Sequence, residues 1–107
     1  METWNEAKIE EIVKNNKLVV FGKGTAMIPQ CGFSSQAFAI LHRIGHPFEV
    51  VNIFDHEDIR PSLIAYSNWP TTPQVFLNGE FLGGGDILLE LYEKGELQKM
   101  VDQVFAA

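Results

Sequence analysis

Residues 18–45 have the sequence LVVFGKGTAMIPQCGFSSQAFAILHRIG, in which an apolar run precedes a glycine-containing loop and an amphipathic segment. The run Leu18–Phe21 is apolar, partly β-branched and followed by Gly22, which predicts a buried strand. The amphipathic segment predicts a helix from about Gly32 to Gly45, because its apolar residues recur at helical spacing, at Ala37, Ile40, Leu41 and Ile44. The stretch therefore predicts a strand, a loop and a helix that packs on the strand.

Further elements of alternating type flank this stretch. Before it, a helix that ends at Asn15-Asn16 is predicted by apolar residues at helical spacing, Ile9, Ile12 and Val13. After it, Phe48–Phe54 predicts a second strand. A third helix, capped by Asp55 or Asp58, is expected to end near Ser67.

The second half of the chain predicts a β-hairpin followed by helices. Two short strands, Pro73–Leu77 and Glu80–Leu82, are separated by Asn78-Gly79, a strong signal for a tight turn. Asp86 is expected to open and cap the next helix, and Gly95 to separate it from the last one. These strands are therefore expected to be antiparallel neighbours.

This order of elements predicts an α/β fold of the thioredoxin-like kind, a four-stranded mixed sheet flanked by helices. A chain of 107 residues is long enough for one domain and too short for two ordinary ones. We therefore expect residues 1–107 to form a single domain.

Charge and composition exclude several classes of partner. The net charge of −6, without a cluster of Lys or Arg, argues against nucleic acid. No signal peptide pattern and no apolar run long enough to cross a bilayer are present, so a membrane is not expected either. We expect a cytoplasmic protein, although a trimmed organellar form would have the same features. With one cysteine, no disulfide can form within the chain.

The lone cysteine, Cys31, lies at the first junction between a strand and a helix. Backbone N–H groups at a helix N-terminus favour the thiolate, so we expect Cys31 to be acidic, partly exposed and nucleophilic. Lys23 is close enough in the chain to add a positive charge, and Gly32 allows a ligand to approach the backbone. Phe33 either belongs to the core or shields the sulfur.

Three other segments predict a groove for a small anionic peptide next to Cys31. A cis bond between Thr72 and Pro73 would turn the Thr72 backbone outward to pair with an extended ligand. The stretch Gly83–Asp86 provides free N–H groups and a carboxylate at a helix start. Arg60 is a candidate for holding a ligand carboxylate.

With these motifs, nearly the whole chain resembles the monothiol glutaredoxins of the CGFS type. The segments that carry the resemblance are FGKGT (21–25), PQCGFS (29–34), YSNWPTTPQVF (66–76), NGEFLGGGDI (78–87) and ELYEKGEL (90–97). The resemblance implies a thioredoxin fold that binds glutathione and, as a homodimer, holds a 2Fe-2S cluster.

The resemblance also implies roles for individual residues. Cys31 is the catalytic residue and the cluster ligand, and two Cys31 thiolates with two glutathione thiolates complete the four ligands of such a cluster. The residues implied for glutathione are Lys23, Cys31, Gly32, Phe33, Arg60, Thr72, Pro73, Gly84, Gly85 and Asp86. The partners implied are BolA-type proteins and apo iron–sulfur acceptor proteins, and the role implied is cluster transfer and iron homeostasis.

Two departures from the family pattern stand out. Many members have a proline where this chain has Ala26, so we expect a looser loop. Many members also have a cysteine where this chain has Gly85, so we expect oxidised forms to be mixed disulfides with glutathione or intermolecular dimers.

Two alternatives remain open at this stage. The same groove and thiolate would serve a glutathione-dependent thiol-disulfide oxidoreductase with a monothiol mechanism, since Ser34 stands where a dithiol relative has its second cysteine. In a peptide-binding module, by contrast, Cys31 would be inert. A histidine metal site is not expected: we assign His42 and His46 to solvent and His56 to a polar helix start.

Overall fold

The computed structural model describes residues 3–107, which form helices and strands in strict alternation up to a hairpin. The elements are α1 (Glu6–Asn15), β1 (Leu18–Gly22), α2 (Gly32–Ile44), β2 (Glu49–Asn52), α3 (Ile59–Ser67), β3 (Gln74–Leu77), β4 (Glu80–Gly84), α4 (Gly85–Glu93) and α5 (Glu96–Ala106). Every helix and strand that the sequence predicts is present. No helix among the described residues is long and apolar enough to cross a membrane.

The four strands form one mixed sheet in the order β2-β1-β3-β4. β1 and β2 are parallel, as a strand–helix–strand unit requires, and β3 pairs antiparallel with both β1 and β4. The prediction of a four-stranded mixed sheet flanked by helices is therefore confirmed.

Helices cover both faces of the sheet because side chains along β1 alternate between two apolar clusters. Leu18 and Val20 point into the cluster formed with α2, α4 and α5. Val19 and Phe21 point into the cluster formed with α1 and α3. All of β1 is buried, which explains why its sequence is continuously apolar rather than alternating.

The start of α4 corrects one prediction. The helix begins at Gly85 with Gly84 as its N-cap, so Asp86 lies inside the first turn and is not the capping residue. The reason is that β4 extends beyond Leu82: Gly84 still pairs with Gln74 of β3, and the helix begins directly afterwards. The carboxylate of Asp86 remains at the positive end of the helix dipole.

His46 is a second correction, because it is not simply solvated. Its Nε2 lies 2.7 Å from Asp102 Oδ1, and its ring stacks on Phe105 at 4.4 Å between centroids. This contact joins the chain just after α2 to α5. His42 is exposed and His56 lies beside the start of α3, as predicted.

Candidate functional site

Cys31 is the N-cap residue of α2 and has an extended backbone conformation, with φ −156° and ψ 136°. Its side chain is partly exposed. Sequence periodicity predicts the helix start at Gly32, so the position of Cys31 in front of the helix is confirmed.

The loop before Cys31 forms a hairpin. Gly24 pairs with Pro29, Thr25 N–H donates to Ile28 O at 3.1 Å, and Gln30 N–H donates to Lys23 O at 2.9 Å. Gly24 has φ +90°, and a Cβ there would lie 2.4 Å from Ile28 O, so this turn requires glycine. These contacts hold the chain that leads into Cys31.

Ser34 connects the same loop to the helix. Its side chain is fully buried, and its Oγ accepts a hydrogen bond from Lys23 N–H at 2.9 Å. The sequence identifies Ser34 only as the residue in place of a second cysteine. The structure adds that its hydroxyl joins the end of β1 to the first turn of α2.

The surroundings of Cys31 lower the pKa of its thiol below the ordinary value of 9.0. The main cause is the backbone N–H of Ser34, and partial burial of the sulfur opposes it. The Phe33 N–H, the Ser34 hydroxyl and the charge of Lys23 lower the pKa further. The Cys31 side chain makes no capping hydrogen bond and is partly exposed, so the sulfur is open to a reactant.

A groove of about 310 Å³ lies beside the N-terminus of α2. The residues that line it come from the start of α2, the loop before β3 and the start of α4: Phe33, Trp69, Thr71, Thr72, Pro73, Gly84, Gly85, Asp86 and Ile87. The Thr72-Pro73 peptide bond is cis, the form that the resemblance to the monothiol glutaredoxins implies. The groove is mainly apolar, with Asp86 and two threonines as its polar side chains.

Six of the ten residues predicted for glutathione line this groove: Phe33, Thr72, Pro73, Gly84, Gly85 and Asp86. Cys31 and Gly32 directly precede Phe33 in the chain, and Lys23 acts on the thiol through its charge. Arg60 is exposed in the first turn of α3 and does not line the groove.

Sequence reasoning misses three residues of the groove, Trp69, Thr71 and Ile87. Trp69 and Thr71 lie in the segment before Pro73, so their position next to that proline was an available signal. Ile87 is an apolar residue of α4, but its side chain is 40% exposed. Its exposure depends on how α4 is oriented, which the helical spacing of apolar residues does not determine.

Residues 3–107 contain no group of three or more His, Cys, Asp or Glu side chains that could hold a metal ion. The chain also has a single thiol. A cluster that requires four ligands must therefore recruit ligands from outside one chain. A partly exposed thiol beside an open groove fits such a shared site.

Comparisons with known proteins identify the family. The glutaredoxin family model matches residues 18–82. A monothiol glutaredoxin of Synechocystis is 48% identical over 107 residues and is aligned over 100% of both chains. The solved structure of reduced poplar apo GrxS14 is 44% identical, covers 95% of this chain and 94% of that chain, and superposes with a TM-score of 0.81.

A buckwheat glutaredoxin–glutathione complex is 27% identical, covers 94% of this chain and 90% of that chain, and has a TM-score of 0.82. These likenesses confirm the thioredoxin-like fold that the order of elements predicts. Together with the single cysteine, they show that this chain belongs to the glutaredoxin family and is similar throughout to its monothiol members.

Proposed function

We propose that this protein is a carrier of a 2Fe-2S cluster that binds glutathione in the groove beside Cys31 and shares the cluster between two copies of the chain. The observation that carries the proposal is the lone, partly exposed Cys31 at the N-terminus of α2, with a lowered thiol pKa. A thiolate is the form that ligates iron, so this environment favours a ligand. Residues 1–107 would act as a single domain.

The groove supports glutathione as the small-molecule partner. Glutathione is a short peptide with two carboxylates and one ammonium group, and the start of α4 presents the N–H groups of a helix N-terminus next to the carboxylate of Asp86. Thr72 lines the groove, where its backbone would offer an edge to an extended peptide. A related buckwheat glutaredoxin is known as a glutathione complex.

The number of available thiols supports a dimer in the cluster-bound state. One Cys31 and one glutathione from each protomer supply four thiolates, the full set for a 2Fe-2S cluster. Two of these ligands belong to a small molecule that can dissociate, so such a site favours transfer of the cluster to apo acceptor proteins. We further propose BolA-type proteins as partners in mixed dimers, a role in iron homeostasis, and a cytoplasmic or organellar location.

Anaerobic reconstitution tests this proposal directly. The protein is incubated with ferrous iron, sulfide and glutathione, and its visible absorption, circular dichroism and oligomeric state are followed together. We expect a coloured dimer that requires both glutathione and Cys31. Cys31→Ser should remain a folded, colourless monomer, because a partly exposed thiol contributes little to packing. A cluster with unchanged absorption in Cys31→Ser would contradict the ligand assignment.

A second candidate is a glutathione-dependent oxidoreductase that removes glutathione from protein thiols by a monothiol mechanism. The lowered pKa of Cys31 favours it as well, since the thiolate is also the nucleophile of thiol exchange. Cys31 would take glutathione from the substrate disulfide and release the substrate as a thiol. A second glutathione would then attack the Cys31 mixed disulfide, which regenerates Cys31 and releases glutathione disulfide. A colourless monomer that reduces glutathione mixed disulfides would establish the oxidoreductase function.

A further inference from the structure

A fully buried glutamine lies directly behind the groove. Gln74 is the first residue of β3 and follows the groove residue Pro73. Its side chain is 0% exposed. Its Nε2 donates to the backbone O of Trp69 at 2.9 Å and to that of Thr71 at 3.0 Å. The amide therefore uses both of its N–H groups on a segment whose side chains form one wall of the groove.

The segment 69–73 has few other polar restraints, although the ring of Trp69 packs on Phe81 at 5.8 Å between centroids. It belongs to neither a helix nor a strand. Outside the helices and strands of the described chain, no backbone-to-backbone hydrogen bond involves residues 69–73. At its start, Trp69 N–H donates to Ser67 Oγ at 3.1 Å. The two bonds from Gln74 are therefore the main polar restraint on the backbone that carries Trp69 and Thr71.

Packing alone does not account for an amide at this position. Gln74 pairs with Phe21 across the sheet, so it points toward the apolar cluster under α1 and α3. Its Oε1 is buried without a protein partner, which costs stability. An apolar side chain of similar length would avoid this cost. Unlike an apolar side chain, however, the amide donates hydrogen bonds to the carbonyls of Trp69 and Thr71.

We infer that Gln74 is a positioning residue for glutathione, acting through the segment 69–73 rather than by contact with the ligand. This inference rests on the proposed glutathione site. The two bonds fix the carbonyl groups of Trp69 and Thr71, and the Trp69 Nε1 lies 3.4 Å from the position of a Cβ on Gly84, so the indole lies next to the start of α4. Release of the segment changes the width of the groove, whereas Cys31 on α2 keeps its surroundings.

The test compares two methionine variants by isothermal titration with glutathione. Gln74→Met removes the two donors and keeps the side-chain length. Gln98→Met is the matched control, because Gln98 Nε2 also donates to a backbone O, that of Ile44 at 3.0 Å, and to Asp102 Oδ1 at 2.9 Å, but lies in α5. We expect Gln74→Met to lower glutathione affinity about fivefold or more and Gln98→Met to keep it within about twofold.

A second readout separates positioning from general destabilisation. The pH profile of Cys31 alkylation by iodoacetamide should be the same in the wild type and in Gln74→Met. Unchanged affinity in a folded Gln74→Met protein overturns the inference, and so does an equal loss of affinity in Gln98→Met. Failure of the wild type itself to bind glutathione would instead refute the proposed function.

A wild-type measurement decides the question if Gln74→Met does not fold. In nuclear magnetic resonance spectra, both side-chain amide protons of Gln74 should exchange slowly with solvent and shift when glutathione is added. Those of Gln98 should not shift. Rapid exchange at Gln74, or resonances that do not move at saturating glutathione, contradicts the inference.

Discussion

Ser34 Oγ accepts a hydrogen bond from the backbone N–H of Lys23 at a distance of 2.9 Å. This bond joins the loop after β1 to the first turn of α2, and Ser34 is fully buried there. The space around it is tight, since a Cβ on Gly22 would lie 3.1 Å from Ser34 Oγ. Ser34, which stands where a dithiol relative has its second cysteine, therefore fixes the backbone next to Cys31.

Ser34→Ala tests this role. Removal of the acceptor leaves the partly buried Lys23 N–H without its partner, which should cost about 1 to 2 kcal/mol of unfolding free energy. It should also raise the pKa of Cys31, because the Ser34 hydroxyl contributes to lowering it. Urea unfolding and thiolate absorbance at about 240 nm as a function of pH measure the two effects. Ser35→Ala, at the exposed neighbouring position, is the control. A Ser34→Ala protein with an unchanged thiol pKa would show that the hydroxyl does not act on Cys31.

Lys23→Gln tests the charge at the same site. Lys23 lowers the pKa of Cys31 through its charge, and its contribution ranks below those of the Ser34 groups. We therefore expect alkylation of Cys31 to require a higher pH in Lys23→Gln than in the wild type, with a smaller shift than in Ser34→Ala. High salt should reduce the difference, since Lys23 is only half-buried and its charge is partly screened. The same shift at low and high salt would indicate that Lys23 acts through structure and not through charge.

Asn52 is expected to stabilise the hairpin that precedes Cys31. Its Oδ1 accepts hydrogen bonds from Gly24 N–H and Phe54 N–H, both at 3.0 Å. In Asn52→Ala both N–H groups lose their acceptor, so their amide hydrogens should exchange faster and the protein should lose about 1 to 2 kcal/mol of stability. Asn16→Ala, which removes a side-chain bond to Ile12 O at the end of α1, is the matched control and should leave Gly24 and Phe54 protected. Equal exchange rates in both variants would rule out this anchoring role.

Asp86→Ala separates ligand binding from helix capping. Because Asp86 lies within the first turn of α4 and not at the N-cap, its removal should cost only the favourable interaction with the helix dipole, about 0.3 to 1 kcal/mol. We expect Asp86→Ala to weaken glutathione binding by more than this loss of stability, since Asp86 lines the groove. Glu93→Ala, on the last turn of α4, should preserve the affinity. Calorimetric titration that gives wild-type affinity for Asp86→Ala would remove this residue from the site.

The sequence contains enough information for the elements and for much of the site. The periodicity of α2 and the apolar run of β1 are patterns of neighbouring residues. Patterns of the same kind predict that Cys31 directly precedes a helix. They also predict the tight turn at Asn78-Gly79. The glycine-rich start of α4 follows from a sequence motif as well. These features are local, so a single sequence reveals them.

The features that the sequence does not reveal depend on contacts between distant segments. The bond from His46 to Asp102 spans 56 positions, and that from Gly24 to Asn52 spans 28. Gln74 is polar at a position where strand periodicity gives no reason for an amide. The error at Asp86 has a related origin, because the length of β4 is set by its pairing with β3 and not by its own sequence.

The contact between His46 and Asp102 predicts that the free energy of unfolding depends on pH in the acidic range. The hydrogen bond from His46, with a second one from Gln98, holds the pKa of Asp102 below its ordinary value of 3.8. A carboxyl group whose pKa is lower in the folded state stabilises the protein above the unfolded pKa, and this contribution is lost as the pH falls through the folded value. Asp102→Asn should therefore be less stable than the wild type at pH 6, and the difference should shrink as the pH is lowered below about 3.8. Urea unfolding of both proteins at a series of pH values measures this difference in stability. A stability difference that stays constant down to the lowest pH would show that the contact does not depend on the ionised carboxylate.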